Sequence, residues 1–341
     1  MIHSLKDLAE HLKLSQTTVS RALNGYPEVG AKTRQRVIEA AERLNYRPNP
    51  TARRLATGRA NALGILFSVE DKMLERPTVT DLLAGISETA ADRGLAIHLN
   101  PVRSGEEGRA CERIVGSGAV DALVLLSPLL DTAETSWLAK IDFPVVGHGR
   151  PVFEQDVASL SVDNLGAFHK GAAYLAGLGH RRIALLNGEE KLAYGQDRRR
   201  GYLTALAEAG LAADAALMAS GRQTYLEGYR AARAMLALDG RPTAFLCSSI
   251  LVATGASRAI AEAGLSIPRD VSLVAHDDAV SAIPAEMAFP ELTVLHSSVR
   301  EAGRRIADMA IERAAGTPAR DLVEVWDVPL IVRGSTAAPR R

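Results

Sequence analysis

Cysteine is scarce in this chain. Among 341 residues only Cys111 and Cys247 occur, both in apolar surroundings, so they read as reduced core residues rather than a disulfide. No run of about 20 apolar residues exists, which excludes a membrane-spanning helix and any membrane partner. A signal peptide is missing, because the N-terminus already reads as an amphipathic helix. There is no Walker loop, no Gly-x-Gly-x-x-Gly at a strand end, no Gly-x-Ser-x-Gly elbow and no metal-spaced His/Cys cluster. These absences argue against an enzyme, and no cofactor or metal is expected. Asp277-Asp278 could suggest a metal, but two adjacent carboxylates alone make a poor site.

Net charge is also absent, with 40 Lys+Arg against 40 Asp+Glu. The neutral total hides an asymmetry. Residues 1–59 hold 11 basic and 5 acidic side chains, whereas residues 60–341 hold 29 and 35. A basic head on an acidic body is favoured at phosphate through counterion release.

The head reads as three short helices. Ser4 stands three residues before Asp7, a capping-box start, and Leu5, Leu8, Ala9 and Leu12 follow at helical spacing. After the turn Lys13-Leu14, Ser15 is a suitable N-cap for a second helix, and Gly25 suits the left-handed position after its end. Val19, Ala22 and Leu23 share one face of that helix; Gln16, Thr17, Ser20, Arg21 and Asn24 share the other. The outer face holds only groups able to hydrogen-bond to base edges or phosphates, and no carboxylate. A third helix, from about Ala31 to Leu44, turns Val37, Ile38, Ala41 and Leu44 inward. The pattern describes a helix-turn-helix, although an ordinary three-helix bundle with a solvated face would share it.

Four segments carry a resemblance. Thr18-Val19-Ser20-Arg21, Leu23-Asn24-Gly25, Thr33-Arg34-Gln35-Arg36-Val37 and Asn45-Tyr46-Arg47-Pro48-Asn49 resemble, in order and spacing, the lactose-repressor family of bacterial transcription regulators. A weaker resemblance extends over nearly the whole chain. It implies that Gln16, Thr17 and Arg21 face bases, and that Ser15, Thr18, Ser20, Asn24 and Tyr46 hold phosphates or lock the register. Gly30 stands where the family often has a capping Ser.

The resemblance also implies domain limits: a helix-turn-helix at 1–46, a hinge at 47–59 and an effector-binding, dimerising core at 60–341. The hinge contains Pro50, Arg53, Arg54, Leu55 and Gly58 and is barely two turns long, too short to be stable alone. By itself it reads as a solvated basic linker. By resemblance it folds on operator DNA, pairs with its dimer mate and presents Leu55 as a minor-groove wedge flanked by Arg53.

In the body, apolar strand runs alternate with helical stretches. The strand runs include Ala62-Phe67, Ala122-Leu126, Ile183-Leu186, Ala244-Cys247 and Val271-Ala275; the helical stretches include Asp81-Arg93, Asn164-Leu178 and Val299-Ala315. Such alternation argues for parallel sheets covered on both faces. The resemblance implies an α/β periplasmic-binding-protein-like core of two Rossmann-like subdomains, at about 60–160 with 291–323 and at about 161–290 with 324–341. Crossovers then fall near Leu160, Pro290 and Val323.

Three places carry pocket chemistry. Asp197-Arg198-Arg199-Arg200-Gly201-Tyr202 reads as a turn before a helix; it is a solvated basic turn or, by resemblance, the home of a ligand-gripping Arg198. Asp277-Asp278 leave an apolar strand; the resemblance favours Asp277 as the hydroxyl acceptor, against a loop carboxylate capping local amides. His148 and Arg150 end another strand, where many relatives have Asp followed by Arg and this chain has Gly149 and Arg150. His148 is as readily a packing residue. Arg76-Pro77-Thr78-Val79 lacks the family's aromatic platform, leaving Thr78, and Ser249 stands where an Asn is usual. The head and the His-Gly-Arg segment together resemble regulators of α-glucoside use.

The expectation is a cytoplasmic bacterial repressor that binds double-stranded operator DNA as a homodimer and answers a small, sugar-like effector. No tetramerisation helix is expected after Arg333. A cytosolic sugar-binding module without a regulatory role, or a regulator answering a non-sugar metabolite, stays open at this point.

Overall fold

The computed structural model describes residues 4–46, 58–69, 73–103, 105–126, 138, 141–150, 157–281, 285 and 290–340. It divides into two compact units, Met1–Asn61 and Ala62–Arg341. The expected hinge residues Arg53 and Leu55 lie outside the described residues.

The described residues of the small unit form three helices, α1 (Leu5–Leu12), α2 (Gln16–Leu23) and α3 (Ala31–Arg43). Ser4 and Asp7 close a reciprocal capping box on α1. Lys13, in the left-handed region at φ 55°, turns the chain into α2. Leu8, Leu12, Val19, Ala22, Val37, Ala41 and Tyr46 are buried together as one core. Ile38 and Leu44, expected inward, are only partly buried, and Ala40 takes an inward place instead. Two arginines are turned to internal use. Arg34 donates to the carbonyls of Tyr26 (2.7 Å) and Val29 (3.3 Å), and Arg36 donates to that of Leu12. They fasten the connection between α2 and α3, and the C-terminus of α1, onto α3.

The large unit holds two six-stranded sheets. The first contains β1 (Ala62–Ser68), β2 (Ala96–Val102), β3 (Ala122–Leu126), β4 (Val145–His148), β5 (Ala158–Val162) and β11 (Val323–Trp326), in the order β11-β5-β4-β3-β1-β2. All its pairings are parallel. The second contains β6 (Ile183–Asn187), β7 (Met218–Ser220), β8 (Ala244–Cys247), β9 (Ser272–Asp277), β10 (Thr293–His296) and β12 (Leu330–Ile331), in the order β12-β10-β9-β8-β6-β7. There only the short β12 runs antiparallel. Central strands such as Ala122–Leu126 and Ala244–Cys247 are apolar throughout because helices cover both their faces.

Among the described residues the α-helices of this unit are α4 (Pro77–Asp92), α5 (Glu107–Ser117), α6 (Asn164–Gly177), α7 (Ala193–Glu208), α8 (Tyr225–Leu236), α9 (Ile250–Glu262) and α10 (Val299–Ala314). In the first lobe Ile65, Leu82, Ile86, Val124, Leu160 and Ile306 share one core. The second lobe has a core on each face of its sheet, centred on Phe245 and on Phe168.

The chain changes lobe between β5 and α6, between β10 and α10, and between β11 and β12. The first change, after Val162, lies close to the expected Leu160, whereas those expected near Pro290 and Val323 come later in the chain. Thr293–His296 pairs with β9 in the second sheet, so that change comes after His296. Val323–Trp326 pairs with β5 in the first sheet, so the last change comes after Trp326. Both strands complete their pairing before the chain can leave the sheet.

Three helix pairs pack with backbone on backbone. A Cβ built at Gly85 of α4 would lie 2.0 Å from the carbonyl oxygen of Arg300, and one at Gly303 of α10 would lie 2.2 Å from that of Leu82. Gly228 and Gly255 do the same for α8 and α9, and Gly201 of α7 abuts the Leu165 carbonyl of α6. No larger residue fits these crossings without separating the helices.

Candidate functional site

Two surfaces carry the expected chemistry, one in each unit. In the small unit Ser15 caps α2, its Oγ accepting from the Thr18 amide at 3.0 Å and lying 2.8 Å from the Thr18 hydroxyl. Asn24 Nδ2 donates to the Ser20 carbonyl at 2.9 Å and closes the other end. These side chains fix the helix and its register. Tyr46 is buried at 8 % exposure, and burial raises its phenol pKa. The structure thus places it in the core of the module. Gln16, Thr17 and Arg21 are exposed, and their side chains make no hydrogen bond or ion pair with the described residues. Gly30 caps α3 without a side-chain bond.

In the large unit a cavity of about 470 Å³ opens at the carboxyl ends of strands from both sheets. This is where open α/β sheets place ligands. Leu126, His148 and Val162 reach it from the first sheet; Glu189, Ser249 and Asp277 reach it from the second. Arg198, Asp277, Arg150, His148, Ser249 and Thr78 all line it.

Their surroundings differ. Arg198 sits inside α7, whose helix starts at Ala193; the Asp197–Tyr202 run is not the turn before a helix that the charges suggested. Gly195 lies in the first turn of this helix. Glycine is required there by a close approach, since a Cβ would lie 2.4 Å from the Glu189 carbonyl oxygen. The Arg198 side chain is buried. Its Nε donates to Asn164 Oδ1 at 2.7 Å and its Nη1 to the Ser248 carbonyl at 2.8 Å. Its guanidinium carbon lies 5.0 Å from the rings of both Phe168 and Tyr194. Burial lowers its pKa, and Asp278 opposes the shift.

The two adjacent carboxylates have separate tasks. Asp277 accepts from the Ala279 amide at 2.8 Å and lies 3.3 Å from His296 Nδ1, so both its oxygens have partners. The favoured hydroxyl acceptor of the sequence reading is thus already engaged locally. Burial alone would raise the Asp278 carboxyl, but His276, Arg198 and His148 outweigh it and hold the group below its ordinary range. Asp278 contacts His276 Nδ1 at 3.4 Å, in geometry too poor for a hydrogen bond. Asp278 is therefore the carboxylate with acceptor capacity facing Arg198, and adjacency in sequence could not reveal it. Burial pushes the His148 imidazole down to about 4, leaving it neutral at pH 7.

Arg150 crosses the cleft. Its Nε and Nη2 donate to the two oxygens of Asp197, at 3.0 and 3.3 Å, so its fork is occupied by protein rather than open. Arg76 meets Glu189 at 3.1 Å across the same cleft. Ser281 donates its amide and hydroxyl to Asp81 at 2.9 and 2.8 Å. These three contacts tie lobe to lobe, and their partners lie far apart in sequence. Ser249 caps α9 through the Val252 amide at 3.3 Å. Thr78 lies in the first turn of α4.

Known proteins resemble this chain in both of its units. Residues 4–49 match the model of bacterial regulatory proteins of the lacI family, and residues 172–336 match that of the periplasmic binding protein-like domain. The chain is 43 % identical to the HTH-type transcriptional regulator AglR of Rhizobium meliloti, over 99 % of this chain and 96 % of that one. It is 33 % identical to the regulator RafR of Escherichia coli, over 98 % of each. Among solved structures it resembles the lac repressor dimer bound to operator and the anti-inducer ONPF, with a TM-score of 0.84 and 25 % identity over 98 % of this chain and 99 % of that one. It also resembles a CelR–cellobiose complex, with a TM-score of 0.71 and 29 % identity over 97 % and 99 %. A helix-turn-helix head with a bare polar recognition face, a two-lobed α/β body and these full-length relatives place the chain in the lacI family of bacterial transcription regulators.

Proposed function

We propose that this protein is a cytoplasmic repressor, without enzymatic activity, that binds operator DNA as a homodimer and is controlled by a small carbohydrate in the cleft. The observation that carries the DNA reading is the Gln16, Thr17 and Arg21 face. It is exposed, has no side-chain partner among the described residues and belongs to a basic head. Gln and Arg are suited to bidentate contacts with adenine and guanine edges in the major groove. Ser15, Thr18, Ser20 and Asn24 hold that helix in register. In this reading residues 47–59, with Arg53 and Leu55, form the hinge that enters the minor groove.

The effector reading rests on the cleft. Arg198 offers donors, Asp278 an acceptor, and the neutral His148 either role, an arrangement suited to vicinal hydroxyls. The cellobiose in the related CelR complex supports a carbohydrate. A ligand held between the lobes acts on the contacts Arg150–Asp197, Arg76–Glu189 and Ser281–Asp81. It can shift the lobe arrangement only by its differential affinity, typically about 1–3 kcal/mol of coupling.

The test is a gel shift on a palindromic operator at rising salt, repeated with mono- and disaccharides that raise the melting temperature. The expected result is sequence-preferring, salt-weakened binding that a stabilising saccharide alters. Binding that ignores sequence would sink the regulator reading. A cleft that no carbohydrate stabilises would sink the effector reading alone.

A further inference from the structure

His276 is a buried polar side chain that packing alone does not call for. It lies on the interior strand β9, is 0 % exposed, and neither of its ring nitrogens has a hydrogen-bond partner among the described residues. A buried imidazole in that state is costly, because water would satisfy both nitrogens. An apolar ring of similar size would fill the space without that cost. What the imidazole adds is a site for a proton, and its position gives that site a task.

Strand alternation turns His276 to the same face as Val274, beside Leu295 of β10 and towards α6. Its ring stacks on Phe168 of α6 at 6.3 Å between centroids, and Phe168 also lies 5.0 Å from the Arg198 guanidinium carbon. One aromatic ring thus braces both groups. His276 Nδ1 lies 3.4 Å from Asp278 Oδ1, near enough for strong attraction but misaligned for a hydrogen bond. Asp278 lines the cleft, and the fully buried His276 stands behind it.

The charged and titratable groups around the ring come from several elements. Asp277 and Asp278 belong to β9 and the residue after it, and Arg198 to α7. His148 of β4 acts on Asp278 from the first lobe, and His296 of β10 contacts Asp277. Burial, then Arg198, favours the neutral imidazole, and the two carboxylates oppose them. The ring is neutral at pH 7 and takes up its proton below the ordinary histidine range. That proton would draw Asp278 into a charge-assisted hydrogen bond and neutralise the charge that a ligand hydroxyl would otherwise meet. A ligand covering the cleft also deepens the burial that disfavours an imidazolium. Both effects have one sign: effector binding expels the proton.

We infer that His276 is a positioning residue for effector binding, which leaves Asp278 open to the ligand while neutral and withdraws it when protonated, so that the regulator's response weakens as its surroundings acidify. This inference rests on the cleft being the effector site.

Calorimetric titration of the full-length protein with maltose at pH 7.5, 6 and 5 tests it. Wild-type affinity should fall about threefold or more over this range, and by no more than about tenfold per pH unit, the limit for one proton. His276→Phe, which keeps a ring against Phe168, should give a flat profile. His276→Gln should be flat too, and it answers if the phenylalanine variant fails to fold. His148, at about 4, stays largely neutral down to pH 5, so His148→Gln should keep the wild-type slope whatever it does to affinity. A flat wild-type profile overturns the inference, and so does a slope that survives in the His276 variants. A second measurement needs no ligand. In histidine-labelled protein the His276 resonance, identified by its loss in either His276 variant, should titrate below 6.5 and move further down in Asp278→Asn. A resonance indifferent to Asp278→Asn overturns the inference as well. If maltose fails to bind while this coupling is present, the carbohydrate reading fails for this probe and the pairing of His276 with Asp278 stands.

Discussion

Arg198→Ala should destabilise the protein by about 2–4 kcal/mol, a large share of the roughly 5–15 kcal/mol that keeps a typical domain folded. Arg198 is buried and makes two charge-assisted hydrogen bonds of 2.7 and 2.8 Å. Each such bond contributes about 1.5–3 kcal/mol. Two aromatic faces at 5.0 Å add roughly 0.5–2 kcal/mol apiece. Against this stands the cost of keeping a guanidinium out of water, several kcal/mol, which the alanine variant recovers. The balance favours the arginine, and the Ser248 carbonyl it leaves behind would be buried without that donor. The variant should still fold and bind operator, yet lose its response to the effector. Urea unfolding of both proteins, followed by effector titration of their operator complexes, reads the two effects separately. A stability loss under about 1 kcal/mol would show that desolvation cancels the contacts. An unchanged effector midpoint would remove Arg198 from the ligand site.

Other expectations follow from the same structure. Arg21→Ala should weaken operator binding by about 1–3 kcal/mol per half-site, with an unchanged melting temperature because Arg21 is exposed and has no side-chain partner among the described residues; full affinity at moderate salt would contradict this. His148 has a folded-state pKa of about 4, below the ordinary histidine value. Its contribution is therefore complete above about pH 6.5 and declines as pH falls towards 4, a loss of about 1–3 kcal/mol by pH 5. Urea midpoints at pH 7.5 and 5 should differ less in His148→Gln than in wild type, and an identical slope would refute the assignment. Gly303→Ala should cost more than about 2 kcal/mol by thermal unfolding, because its new methyl would collide with the Leu82 carbonyl.

The parts of the fold that could be read from the residues are those where local chemistry decides structure. Ser4 with Asp7, and Ser15 before a run of polar and apolar alternation, mark helix starts that the structure keeps. Apolar runs such as Ala122–Leu126 give buried strands. The strand Ala158–Val162 was not legible, because Ser159 and Ser161 interrupt its apolar pattern while being buried in the sheet. Val323–Trp326 was hidden for another reason: as an edge strand it leaves Val323 and Val325 exposed, so alternation replaces an apolar run. In the cleft, the residue types and their places in the chain were visible, but their pairings were not. Arg150 reads as a free donor until Asp197 is seen across the gap, and Asp277 reads as the open acceptor until the Ala279 amide is seen to occupy it.

The glycine contacts between helices have a mechanical consequence. Where Gly85 and Gly303 bring backbone against backbone, no side chain can rotate to absorb a displacement. The α4 and α10 pair must then tilt as a single beam. Both helices are 16 residues long, so the beam is about 24 Å from end to end. Its near end, at Thr78 and Val299, forms the wall of the cleft. A shift of a few tenths of an ångström at that wall is thus delivered to the remote end of the lobe almost undiminished, whereas a cushion of leucines would have dissipated it locally.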